Sequence, residues 1–124
     1  AMIGAFLGGP DDRQAKSGHG LVHRHGIGLN KTYVPKRTFG CTRWDDILEA
    51  TFGDNDTLLF NEFEFHIIGT ATDVCVVSNA LILRSLYPFA KIVVHIDMCA
   101  PLFVMGQVAA TYIMKTNAID VEGE

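Results

Sequence analysis

A chain of 124 residues, 48% hydrophobic and 19% charged, has enough apolar material for one core, so a single domain over 1–124 is expected. Its net charge of −4, with ten Lys and Arg residues scattered through the sequence, offers no basic face for a phosphate backbone and argues against nucleic acid as a partner. Arg84, Lys91, His95 and Asp97 interrupt the apolar C-terminal half, which argues against a membrane span, and the N-terminal residues lack the pattern of a targeting signal.

The first thirty residues contain seven glycines and the turn Gly8-Gly9-Pro10-Asp11-Asp12, so residues 1–28 read as irregular. A short strand is expected over Gly28–Val34, ending before Pro35. Thr42 is placed to cap a helix over Trp44–Ala50, with acidic residues in its first turn and Gly53 beyond its end. Phe63–Ile68 is β-rich and runs into Gly69. Thr72 or Asp73 then caps a helix that carries Val76, Val77, Ala80, Leu81, Leu83 and Leu86 and stops at Tyr87 before Pro88. Lys91–Ile96 is the next strand, Val104–Lys115 the next helix, and Ala118–Val121 a last short strand. Alternating strands and helices at this spacing imply right-handed βαβ crossovers and an α/β fold with a mostly parallel sheet.

In such sheets, sites form at the carboxyl ends of the strands, and Cys75 falls just past one, in the first turn of a helix. Unpaired N–H groups and the helix dipole stabilise a thiolate there, and the same N–H groups can hold an oxyanion. The plainer alternative is that Cys75 is a small buried hydrophobe. Cys41, Cys75 and Cys99 are an odd number at wide spacing with no CxxC, which reads as reduced thiols in a cytoplasmic protein, with Cys41 and Cys99 structural.

The run Ile67-Ile68-Gly69-Thr70-Ala71-Thr72-Asp73-Val74-Cys75-Val76 resembles the strand and nucleophile turn of the isochorismatase-like cysteine hydrolases, the family that includes nicotinamidase. Upstream, Lys36-Arg37-Thr38-Phe39-Gly40 is similar to the family's K-x-x-F-G segment. Downstream, Ala90 to Ala100 resembles the strand after the nucleophile helix with its D-x-C-A-like turn, and the three blocks come in family order within 29–124. The resemblance implies a three-layer αβα fold, here incomplete, and a hydrolase acting on the C–N amide bond of a small molecule through a cysteine thioester.

The resemblance gives Cys75 the role of nucleophile and Lys36 that of its cationic partner, Lys31 lacking the following Phe and Gly. It also implies a cis peptide bond at Thr70-Ala71 and an oxyanion hole from the N–H groups of Ala71 and Cys75. Phe39 and Thr70 are candidates for the substrate pocket; Trp44 is a weaker one, and Asn79 reads as structural. The family's triad aspartate and its metal ligands, for zinc or a similar ion, are not found. Asp11 and Asp12 have no evident strand ahead of them, and His19, His23 and His25 lack a carboxylate at zinc-ligand spacing. No cofactor is therefore identified. The missing first strand suggests a chain lacking the N-terminal part of a longer hydrolase, and the family's habit suggests a homo-oligomer. Alternatives are a noncatalytic or truncated member serving as a binding or assembly scaffold and, more weakly, an isochorismatase-type hydrolase.

Overall fold

A computed structural model describes residues 2–5, 19–23, 31–52 and 60–124. Its strands are β1 (Met2–Ala5), β2 (His19–His23), β3 (Lys31–Pro35), β4 (Glu64–Thr70), β5 (Lys91–Ala100) and β6 (Asp120–Glu122). Its long helices are α1 (Trp44–Phe52), α2 (Val77–Leu86) and α3 (Val104–Thr116), with a π-helical turn over Thr72–Val76 leading into α2. The six described strands form one sheet in the order β3-β2-β1-β4-β5-β6. Pairs β1–β4, β4–β5 and β5–β6 are parallel, whereas β1–β2 and β2–β3 are antiparallel. The chain is thus α/β with a mostly parallel sheet, as expected.

The reading of residues 1–28 as irregular is overturned by β1 and β2. Four residues containing a glycine have little strand propensity of their own, and here the ladder comes from neighbours distant in sequence: Met2 pairs with His66 and with His23. A strand therefore does precede Asp11 and Asp12, and it sits at the centre of the sheet. Asp11, Asp12 and His25 lie outside the described residues.

The core is built from alternation. Phe65 and Ile67 of β4, with Ile92, Val94 and Ile96 of β5, turn one face of the sheet towards Trp44 and Leu48 of α1, Ala80 and Leu83 of α2, and Ala110 and Met114 of α3. Consecutive right-handed crossovers from β4 to β5 to β6 place α2 and α3 on the same face. The described residues thus supply the sheet and one helical layer. Phe65 stacks on Tyr87 with ring centroids 5.7 Å apart, and Phe60 meets Tyr87 edge-on at 5.6 Å. The opposite face bears Glu64, His66 and His95, where His66 Nδ1 and His95 Nε2 lie 2.8 Å apart and His66 Nε2 lies 2.8 Å from the Glu64 carboxylate.

Arg84 fastens the end of α2 to the two strands that come after it. Its guanidinium donates to the carbonyls of Ala90 at 2.7 Å and Ala118 at 2.7 Å, tying the start of β5 to the turn between α3 and β6. Ala118 in that turn has a φ of 57°, an uncommon conformation for a residue with a Cβ.

Candidate active site

The site is assembled at the carboxyl end of β4. Strand β4 runs two residues beyond the expected Ile68, because Gly69 adopts a φ of 128° and the register with β5 shifts between Ile67 and Gly69. That bulge carries the chain to Thr70 and Ala71, joined by a cis peptide bond at the position the resemblance implied. Ala71 has extended backbone, and its carbonyl accepts from Val74 N–H at 3.1 Å and Val76 N–H at 3.0 Å, closing the π-helical turn that holds Cys75.

The expected cap at Thr72 or Asp73 does not form: neither the turn nor α2 has a side-chain cap. Asp73 reaches across to the start of α3 instead, accepting from Leu102 N–H at 2.9 Å and Phe103 N–H at 3.3 Å. The Leu102 N–H, outweighing desolvation with help from the N–H groups of Asp73 and Phe103, holds the Asp73 carboxyl below the usual aspartate value. A methyl group on Gly106 would come within 2.0 Å of that carboxylate, so only glycine lets α3 approach this closely.

Lys36 follows directly after β3 and is 9% exposed. Its ammonium donates to the carbonyls of Thr38 and Phe39, each at 3.0 Å, and to Cys75 Sγ at 3.7 Å. The loop that folds the lysine back lies flat on α2, for a methyl group at Gly40 would meet Ile82 Cδ1 at 2.5 Å. Cys75 itself is fully buried. Lys36 and Cys75 are thus brought together, and Thr70 and Ala71 lead into the turn that holds Cys75. The Phe39 ring is 59% exposed, while the Phe39 carbonyl holds Lys36.

Asn79 contributes more than its position in the sequence suggests. Its Oδ1 accepts from Cys41 N–H at 2.8 Å and Trp44 Nε1 at 3.0 Å, while its Nδ2 donates to the Cys75 carbonyl at 2.9 Å and the Phe39 carbonyl at 3.4 Å. One buried amide thereby joins the lysine loop, α1 and the cysteine turn. The only signal in the sequence is that Asn79 lies four residues, about one helical turn, after Cys75. Trp44 is fully buried core rather than pocket lining.

Cys99 stands opposite Gly69 in the β4–β5 pairing. Burial pushes its thiol up, opposed by a hydrogen bond with the Gly69 backbone and reinforced by Asp97. A cavity of about 460 Å³ lies elsewhere, bounded by Ile96, Asp97, Gln107, Val108, Thr111 and the C-terminal Gly123 and Glu124.

Two solved structures have a similar fold. The chain is similar to the pyrazinamidase of Pyrococcus horikoshii in complex with zinc, at 20% identity and a TM-score of 0.55, over 73% of this chain and 47% of that one. It is also similar to PnC1 from L. infantum in complex with nicotinate, at 15% identity and a TM-score of 0.53, over 71% of this chain and 43% of that one. The fold is that of the isochorismatase-like hydrolases. The chain spans less than half the length of either structure. No protein-family model and no curated protein matches it.

Among the described residues, no three His, Cys, Asp or Glu side chains converge as ligands, so these residues do not fit a zinc centre of the isochorismatase-like kind. Among the described residues, no helix is long and apolar enough to cross a membrane.

Proposed function

We propose that this chain belongs to a hydrolase that cleaves the C–N amide bond of a small molecule, as a nicotinamidase does, with Cys75 as nucleophile. The observation that carries the reading is the buried Lys36 ammonium 3.7 Å from Cys75 Sγ, at the end of a parallel strand. The ammonium donates to the sulfur, which lies in the helical turn that follows the strand.

The thiolate attacks the amide carbonyl carbon, and the oxyanion that develops accepts from the N–H groups of Ala71 and Cys75. Collapse breaks the C–N bond as a proton reaches the nitrogen, and ammonia leaves. Water then adds to the thioester, releases the carboxylic acid and returns the thiol. Thr70 and the Phe39 ring serve as substrate contacts. The proton shuttle calls for a carboxylate. Asp11 and Asp12 are the acidic residues between β1 and β2, and the chain leaves β1 from Ala5, which pairs with Gly69. A nucleophilic thiol must stay reduced, which suits the cytoplasm.

The test is ammonia release from nicotinamide together with mass spectrometry of the chain. The expected result is a thioester adduct on Cys75, and loss of at least about a thousandfold in turnover for Cys75→Ala. Undiminished turnover by Cys75→Ala would sink the mechanism. The complete enclosure of Cys75 favours a second reading, a noncatalytic scaffold, which predicts neither ammonia nor adduct.

A further inference from the structure

The face of the sheet opposite the helical layer carries a line of four polar side chains across three strands. Glu64 and His66 stand on β4, His95 on β5 and Glu122 on β6, where the parallel register sets Glu122 beside His95. The Glu64 carboxylate lies 2.8 Å from His66 Nε2, and His66 Nδ1 lies 2.8 Å from His95 Nε2. The line ends with His95 Nδ1 at 3.9 Å from Glu122 Oε2. The two rings are nearly parallel, tilted by 17° with centroids 5.1 Å apart.

Counting hydrogens along this line leaves one position unfilled. Desolvation of the Glu64 carboxyl is outweighed by His66 and Lys91, which hold it below the usual glutamate value. An ionised carboxylate only accepts, so His66 Nε2 carries a hydrogen. With both rings neutral, His66 Nδ1 is then an acceptor, and the hydrogen of the second contact belongs to His95 Nε2. His95 Nδ1 keeps a bare lone pair. It faces a carboxylate oxygen, too far away for a hydrogen bond and with no hydrogen to share. Among the described residues, no Lys or Arg pairs with Glu122.

We propose that His95 Nδ1 and Glu122 bind a divalent transition-metal ion such as Zn2+, with water completing its shell and with His66 and Glu64 holding the ligand ring from behind. The donor set selects the class of ion: an imidazole nitrogen suits zinc, copper or nickel, whereas magnesium and calcium take oxygen ligands. The spacing is suitable. Zinc lies about 2.0–2.2 Å from such ligands, so a tetrahedral angle needs the donors about 3.4 Å apart. Glu122, with a side chain 60% exposed, has room to swing in from 3.9 Å. The ring behind is already oriented, because a ligating histidine donates its other N–H to an acceptor, and His66 supplies that acceptor with Glu64 fixing its tautomer. Among the described residues no third side chain converges, so the site is open to water. It lies across the sheet from Cys75 and is independent of the amidase reading.

The experiment is an NMR titration of the whole 124-residue chain with Zn2+, followed on the imidazole nitrogens at about pH 8, above the ordinary imidazole range. His95 Nδ1 should lose its bare-nitrogen signal saturably below about 1 mM Zn2+, while His95 Nε2 keeps its hydrogen. Glu122→Gln, which keeps the size of an exposed side chain, should weaken binding at least about tenfold, and His66→Phe about 10–100-fold, with circular dichroism unchanged. Mg2+ at the same concentration should leave the signal in place. No change at His95 overturns the proposal, as does uptake of Zn2+ seen only at His19, His23 or His25. So does binding that Glu122→Gln or His66→Phe leaves unaltered, or that Mg2+ reproduces.

Discussion

Two buried side chains at the residue scale make opposite predictions from the same physics. Asn79 satisfies the Cys41 and Trp44 donors that have been taken out of water. Asn79→Ala leaves both unpaired, so a loss of about 2–4 kcal/mol in unfolding free energy is expected from denaturant titration. Turnover should fall as well, since the amide also fixes the Cys75 carbonyl. Tyr87 presents the reverse case. Burial pushes its phenol up to about 12, with Asp45 and Glu49 adding to the shift, and among the described residues its hydroxyl has no hydrogen-bond partner. Tyr87→Phe removes the orphaned hydroxyl and keeps the ring against Phe65. Stability should hold or rise by about 1 kcal/mol, and a loss beyond about 1 kcal/mol would show a partner for the hydroxyl. Cys75 and Lys36 were legible in the sequence because their neighbours form local patterns. The task of Asn79 was not, because its partners Phe39 and Cys41 lie about forty residues away and meet it only in the folded chain.

At the scale of elements, the junction between the cysteine turn and α3 sets local preference against tertiary contact. Asp73 was expected to cap its own helix, as an acidic residue in a first turn often does. Tertiary contact overrides that preference, because the Leu102 and Phe103 N–H groups need an acceptor and α3 is brought close by Gly106. The pH dependence comes from the lowered carboxyl. The folded form titrates below the unfolded value of about 3.9, so the tether's contribution is complete above that value and disappears as pH falls through the folded one. The Leu102 and Phe103 amides should exchange at an unchanged degree of protection from pH 7 to about 5 and lose protection below about pH 4. Asp73→Asn should lower their protection across the range and flatten that dependence. Acid sensitivity persisting in Asp73→Asn would assign it to another group. Strand and helix positions from residue 60 onwards were readable because apolar spacing there changes cleanly from period two to period 3.6. The ends of β4 and β5 were not: β5 runs to Ala100, four residues past the expected Ile96, and in β4 a glycine normally read as a stop serves as a bulge within the strand.

At the scale of the whole molecule, the α/β class could be read from the alternation of elements alone, but the sheet's composition could not. Strands β1 and β2 carry glycines and no alternation strong enough to declare them. Their existence depends on backbone pairing with residues far along the chain. The consequence concerns time. Of the described strands, β1 comes first in the chain, yet one of its edges belongs to β4, with Met2 beside His66. Until that later strand is made, β1 has only β2 to pair with, and a two-stranded ribbon is marginal in water. Among the described strands, central β1 is made before the others and is enclosed only when β4 arrives. Closing so long a loop before any reward arrives slows the formation of this pairing, with an unpaired edge waiting beside the future position of the cysteine.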